Sequence, residues 1–304
     1  MGGCNDTFLW NTRMYDKIEG RNGGYAMKWN VNNLILEMTR RCNMNCAHCL
    51  RGNPKPENGT LDIMIETIGR MFHFLDEVNE ISFSGGEPSL VPILLKIALN
   101  KMREEGLHPC RGFLATNGKE ISDQFLAVCD EWYLELLQNN WNMEENRMLG
   151  YEEAKQMVKF ISSDRDEGIS GMRVALSLDQ YHEKIPTGNI LKLMAKPWFS
   201  KTKIIEQERY PWVIRRGNAA LPGFHSKTNR REYQEPYVTV YEEDETVIEL
   251  ETLYVAINGD LFTDCDLSYE DMELIKNSCY DTYLGNLWQM EKPELLEKLR
   301  EMAG

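Results

Sequence analysis

The chain has 304 residues, of which 42% are apolar and 10% aromatic, enough to bury the core of one large α/β domain with a small appendage and too many for a disordered chain. Thirty-four Lys and Arg stand against 48 Asp and Glu, a net charge of −14, which argues against sequence-blind binding of a nucleic-acid backbone. No uncharged run reaches the ~18 residues needed to span a bilayer, and the first twenty residues hold Asn, Asp, Arg and Lys rather than an apolar signal core, so the expected compartment is the cytoplasm.

In chain order, residues 1–30 are expected to form an N-terminal extension. Asn33 to Met38 is a short apolar run of strand character, and a loop with three of the eight cysteines follows, as Cys42-x3-Cys46-x2-Cys49. Clustered thiolates at loop spacing suit a soft metal centre, an iron–sulfur cluster or zinc. Structural zinc wants four ligands, usually with a second Cys/His pair at similar spacing, and none stands downstream. A four-iron cluster held by three cysteines leaves one iron open to another molecule. Arg51, two residues past Cys49, reads either as a carboxylate anchor or as a solvated cation. Thr60 is expected to cap a helix carrying Leu61, Met64, Ile65, Ile68, Phe72 and Leu75 on a helical period.

The strand–loop–helix unit repeats. Ile81 to Ser84 is a strand followed by Gly85-Gly86-Glu87-Pro88, where two glycines permit close backbone approach and Glu87 offers a carboxylate; Ser89 is expected to open the next helix. Gly112 to Ala115 ends in Thr116-Asn117-Gly118 and leads to a helix over about 121–137. An insertion over 139–170 with a helix near 151–160 precedes Met172 to Leu176, which ends in Ser177-Leu178-Asp179 with Tyr181 and His182 beyond. Weaker strands are expected at 203–206 and 212–215, the latter ending in Arg216-Gly217-Asn218-Ala219. About six alternating units imply a parallel sheet with right-handed crossovers, a partial (β/α)6 barrel over 31–220 with polar loops on one face.

Beyond residue 220 the rhythm stops. A hairpin with an acidic turn is expected over 237–250 and another at Asn258-Gly259, before Cys265, Gly285-Asn286 and a final helix bearing Leu295, Leu296, Leu299 and Met302. Residues 221–304 thus read as a small α+β extension.

Cys42-x3-Cys46-x2-Cys49 after the first strand, with Gly85-Gly86-Glu87-Pro88 after the second, closely resembles the radical SAM superfamily. Thr116-Asn117-Gly118 and Ser177-Leu178-Asp179 resemble its third- and fourth-strand endings, and Arg216-Gly217-Asn218-Ala219 its late-strand element with Asn in place of Arg. The resemblance implies one 4Fe–4S cluster on Cys42, Cys46 and Cys49, with S-adenosylmethionine chelating the open iron. It implies reductive cleavage of that molecule to a 5′-deoxyadenosyl radical, which abstracts hydrogen from a substrate. It places Gly85, Gly86, Glu87 and Pro88 at the methionyl ammonium, and Asn117, Ser177, Asp179 and Arg216 among the cofactor contacts. His48 is expected to pack near adenine. His182 as a proton carrier and Cys265 as a hydrogen-atom donor are the candidate catalytic groups.

The C-terminal part is similar to the extensions of radical SAM peptide maturases. Cys265 and Cys279 lack the C-x2-C expected of auxiliary clusters, so one cluster is expected. The expected substrate is a peptide, the alternative a small metabolite such as a nucleotide or sugar, and the expected reductant a flavodoxin or ferredoxin. A non-catalytic iron–sulfur or zinc protein on the same fold is the third reading.

Overall fold

The computed structural model describes residues 27–57, 59–141, 171–178, 181–200, 213–222, 228–229, 233–242, 245–278 and 280–303. The expected 151–160 helix, the 203–206 strand, Asp179, Cys279, and the extension before residue 27 lie outside them.

Strand β1 (Met27–Thr39) is the spine of the sheet. Its last six residues are all buried, as in a parallel strand covered on both faces. Leu34, Leu36 and Met38 face the main core, and Ile35 faces a second cluster with Tyr254 and Phe262. Parallel to β1 runs β2 (Glu77–Gly85), then β3 (Arg111–Thr116), β4 (Met172–Leu176) and the short β5 (Phe199–Ser200). The crossovers carry α1 (Ile65–Phe74), α2 (Pro92–Glu104), α3 (Asp123–Trp141) and α4 (Thr187–Met194).

Two helix starts differ from expectation for local reasons. The Thr60 hydroxyl accepts from the Asp62 N–H (3.0 Å), and the Ile63 N–H bonds the Met38 carbonyl (3.1 Å), so the chain hugs the end of β1 before α1 begins. Ser89 sits in a 3-10 turn (Pro88–Leu90), its hydroxyl donating to the Glu120 carbonyl (3.0 Å), and α2 starts at Pro92, a residue suited to a first helical turn.

The expected sixth barrel strand shortens to β6 (Val213–Ile214) and pairs with β7 (Thr228–Asn229) in a separate two-stranded sheet. The chain turns there because Arg216 is drawn toward C-terminal carboxylates and Gly217 takes φ +56°. The main sheet is thus an open, partial α/β barrel.

The C-terminal segment continues that sheet. The two runs expected over 247–257 merge into β9 (Thr246–Val255), paired antiparallel with β8 (Val238–Glu242) and parallel with β1. Through Asn258-Gly259, with Gly259 at φ +85°, β9 returns as β10 (Asp260–Phe262), which pairs with β11 (Tyr283–Asn286). Helix α5 (Tyr269–Lys276) starts on a Ser268–Asp271 capping box, and α6 (Lys292–Met302) buries Leu295, Leu296 and Leu299. The strand order is β11-β10-β9-β1-β2-β3-β4-β5, so the cysteine loop emerges at the middle of the sheet. No described helix is long and apolar enough to cross a membrane.

Candidate active site

The loop leaving β1 carries Cys42, Cys46 and Cys49, all thiols, the first exposed and the others half-buried. All three line one open cavity of about 450 Å³ at the ends of the central strands. Gly85, Gly86, Glu87, Pro88 and Thr116-Asn117 line it from β2 and β3, and Ser177 from β4. Arg51, Cys265 and Asp266 line it from the other side.

Four supports hold the cysteine loop. The Gly86 N–H donates to the Thr39 carbonyl (2.7 Å) and the Glu87 N–H to that of Arg41 (2.8 Å). A Cβ on Gly86 would lie 2.3 Å from the Arg41 oxygen, and one on Gly85, at φ +133°, 2.0 Å from that of Thr39. The glycine pair therefore lets β2 close on the root of the cysteine loop. Behind the loop, the Asn218 N–H bonds the Cys49 carbonyl (2.9 Å) and its Nδ2 the Cys46 carbonyl (3.0 Å), while a Cβ on Gly217 would lie 2.4 Å from the Cys49 oxygen. On the C-terminal side, Arg51 Nη1 donates to the Leu267 carbonyl (2.6 Å), and the Tyr269 N–H to the Arg51 carbonyl (3.1 Å). The fourth is an ion pair, Lys119–Glu183, astride the loop. Lys119 Nζ reaches the Asn43 carbonyl (2.6 Å) and Glu183 accepts from the Asn45 N–H (3.2 Å).

Glu87, 1% exposed, joins β2 to β3. Its Oε1 accepts from the Ser89 N–H (3.0 Å) and the Thr116 hydroxyl (2.8 Å), and its Oε2 from the Asn117 N–H (2.7 Å). Burial pushes its carboxyl above the ordinary range, against these hydrogen bonds. Asn117 turns its Nδ2 to Asn43 Oδ1 (2.9 Å) and to the Cys42 sulfur (3.6 Å). Burial raises the Cys42 thiol, partly offset by the Met44 N–H.

His48 packs against Tyr181 (5.1 Å between ring centroids) and edge-on to His182 (4.8 Å), and both histidines line the cavity. Ser177 is held by its N–H on the Thr116 carbonyl (2.8 Å). The Cys265 sulfur lies 4.0 Å from Asp266 Oδ1, and burial pushes its thiol up to about 11. Arg216 is not among the lining residues. Its guanidinium is 6% exposed, pairs with Asp264 (3.6 Å) and Asp271 (3.8 Å), donates to the Asp266 carbonyl and lies over Tyr233. The chain beyond it, Gly217-Asn218, reaches the site as backbone support.

The sequence reading missed Lys119, Glu183 and Arg40, and left Arg51 open between a carboxylate anchor and a solvated cation. Lys119 directly follows Thr116-Asn117-Gly118, and that adjacency was the available signal. Three thiols on one loop, opening into one cavity beside a glycine-lined strand end, fit a four-iron cluster with one iron left without a protein ligand.

The profile of the radical SAM superfamily matches residues 36–142. No relative was found among curated proteins. Similar solved structures include hexahistidine-tagged anSMEcpe with bound AdoMet, at 14% identity and TM-score 0.43 over 90% of this chain and 82% of that one. BtrN in complex with AdoMet and 2-DOIA is similar at 10% identity and TM-score 0.42, over 90% and 85%. Streptococcus suis SuiB bound to S-adenosylmethionine is similar at 10% identity and TM-score 0.31, over 77% and 60%.

Proposed function

We propose that this chain, a member of the radical SAM superfamily by its residues 36–142, is an enzyme that uses one cluster on Cys42, Cys46 and Cys49 to cleave S-adenosylmethionine and modify a peptide. The observation that carries the reading is the convergence of those three thiols with Gly85 to Glu87 on a single cavity. When bound, the cluster supplies the electron for reductive cleavage of the sulfonium, taken from a flavodoxin or ferredoxin.

The chain's own residues do the positioning. Glu87 Oε2, with one donor among the described residues, has a lone pair left for the methionyl ammonium. Ser177 offers a hydroxyl from the end of β4. His48, tilted against Tyr181 and edge-on to His182, offers a ring held in place for adenine to pack on. Asn117 faces the Cys42 sulfur, so its role is to hold a ligand rather than to touch the methionyl group. His182 and Cys265 reach the same cavity as candidates for proton and hydrogen-atom transfer. The maturase-like C-terminal segment walls the cavity opposite β2–β4, where a peptide would enter.

Anaerobic reconstitution with S-adenosylmethionine and a low-potential reductant should yield 5′-deoxyadenosine by mass spectrometry, absent in the Cys42/Cys46/Cys49→Ala triple variant. The reading fails if a wild-type protein with a full cluster complement neither binds nor cleaves S-adenosylmethionine. Iron near eight per chain would overturn the single cluster. For the peptide, a small precursor should carry a mass change after incubation with enzyme; a modified nucleotide or sugar instead would replace it by the metabolite reading.

A further inference from the structure

Arg51 is a nine-tenths buried cation with no ion-pair partner among the described residues. A guanidinium has five N–H donors. Here Nη1 donates to the Leu267 carbonyl (2.6 Å), the one hydrogen bond the side chain makes to described residues, and the group lies over the Tyr254 ring at 4.5 Å. Glu37 makes no ion pair with Arg51: its Oε2 accepts from Arg40 (3.2 Å) and the Ile257 N–H (3.1 Å), and its buried Oε1 has no hydrogen-bond partner among the described residues. A buried charge left in this state calls for an anion.

The side chain lines the cavity beside the cysteines and is the one Arg or Lys among its described lining residues. Its position in the sheet separates it from the groups assigned to S-adenosylmethionine. Glu87 and Ser177 follow β2 and β4, whereas Tyr254 belongs to β9, on the other side of β1, and Leu267 follows β10. Cys265 and Asp266 line the same side.

We propose that Arg51 receives a carboxylate of the substrate, fixing an acidic residue or the C-terminal carboxylate of a peptide beside the cluster cysteines. This rests on the peptide-modifying reading above and names the substrate feature it requires. A carboxylate matches the planar fork and a single positive charge. A phosphate dianion would meet that one cation against Glu80, Glu87 and Asp266, all in the same lining. Arg51 is thus a specificity-determining residue held by the C-terminal segment.

The test uses the reconstituted full chain loaded with S-adenosylmethionine, and as probes N-acetyl-glutamate methylamide and its neutral isostere N-acetyl-glutamine methylamide, by equilibrium dialysis. Wild type should bind the acid roughly ten-fold or more tighter than the amide, the equivalent of one charge-assisted hydrogen-bonded pair. Arg51→Lys should keep part of that preference and Arg51→Met none, both read per cluster-loaded chain, because Arg51 also braces the cysteine loop through Leu267 and its variants should hold less iron. The proposal is overturned if wild type does not prefer the acid, including by binding neither probe. It is also overturned if the variants weaken S-adenosylmethionine itself by about ten-fold, which would assign the arginine to that molecule's carboxylate. The wild-type comparison stands whether or not Arg51→Met folds. Loss of 5′-deoxyadenosine in wild type would instead sink the enzymatic reading, independently of which probe binds.

Discussion

The cavity has two walls of different make. On the β2–β4 side, short backbone bonds and one buried carboxylate set the spacing, and the limiting quantity is room, since Gly85 and Gly86 have none for a Cβ. On the β9–β10 side, charged and aromatic side chains do the holding. Arg51 reaches Leu267, Arg40 lies over Tyr269 while paired with Glu37 and Glu57, and Arg216 sits among Asp264 and Asp271. The first wall should fail by steric crowding and the second by stranded charge.

Stranded charge should do the greater damage. In Arg216→Met, Asp264, fully buried, keeps its negative charge without its ion-pair partner, and a loss of ~3–5 kcal/mol is expected in urea unfolding. Because Gly217 and Asn218 follow directly, iron retention should fall in the same variant. Gly86→Ala tests the other wall. Its Cβ would meet the Arg41 oxygen at 2.3 Å, and backbone cannot swing aside as a side chain does, so ~1–3 kcal/mol is expected together with weaker iron binding. If Gly86→Ala cost more than Arg216→Met, the assignment of room to one wall and charge to the other would be reversed.

The two walls also differ in how far they were legible in the sequence. The cysteine loop, Gly85 to Pro88 and the strand Met172–Leu176 could be read because each is a local pattern of apolar run, turn and ligand. The parallel pairing of Val31 with Leu250 spans more than two hundred residues and leaves no local trace. Arg40 and Arg51 resist reading for another reason. Charged residues in a loop are ordinarily solvated, and only the fold shows them buried under Tyr269 and Tyr254. Thr60 looked like a helix cap because the sequence does not reveal that its hydroxyl is taken by the next turn.

A smaller effect should report on the root of the second wall, the β9–β10 turn. Burial pulls the Asp260 carboxyl upward, but hydrogen bonds from Lys276, Asn286 and Asn258 outweigh it and the group ends below the ordinary aspartate range. A depressed acid stabilises the fold fully above its unfolded value and loses that contribution as pH falls through the folded one. Asp260→Asn should therefore cost ~1–3 kcal/mol near neutrality. Its urea midpoint should also decline less than wild type as pH drops below the ordinary aspartate range. Parallel pH profiles would show that the turn is held by shape alone.

The smallest expected effect lies where the first wall touches the cysteines. Asn117 Nδ2 faces the Cys42 sulfur, and an N–H donor stabilises the extra electron density that a bound cluster's ligand carries after reduction. Removing it should make the cluster harder to reduce. A hydrogen bond worth ~1 kcal/mol corresponds to about 40 mV for one electron. Asn117→Ala should shift the midpoint negative by roughly that amount in a redox titration followed by electron paramagnetic resonance. Asn117→Asp, which puts an anion near the sulfur, should shift it further. Affinity for S-adenosylmethionine reads the alternative. If it collapses while the potential stays fixed, Asn117 contacts that molecule directly, and its place beside Cys42 changes on binding.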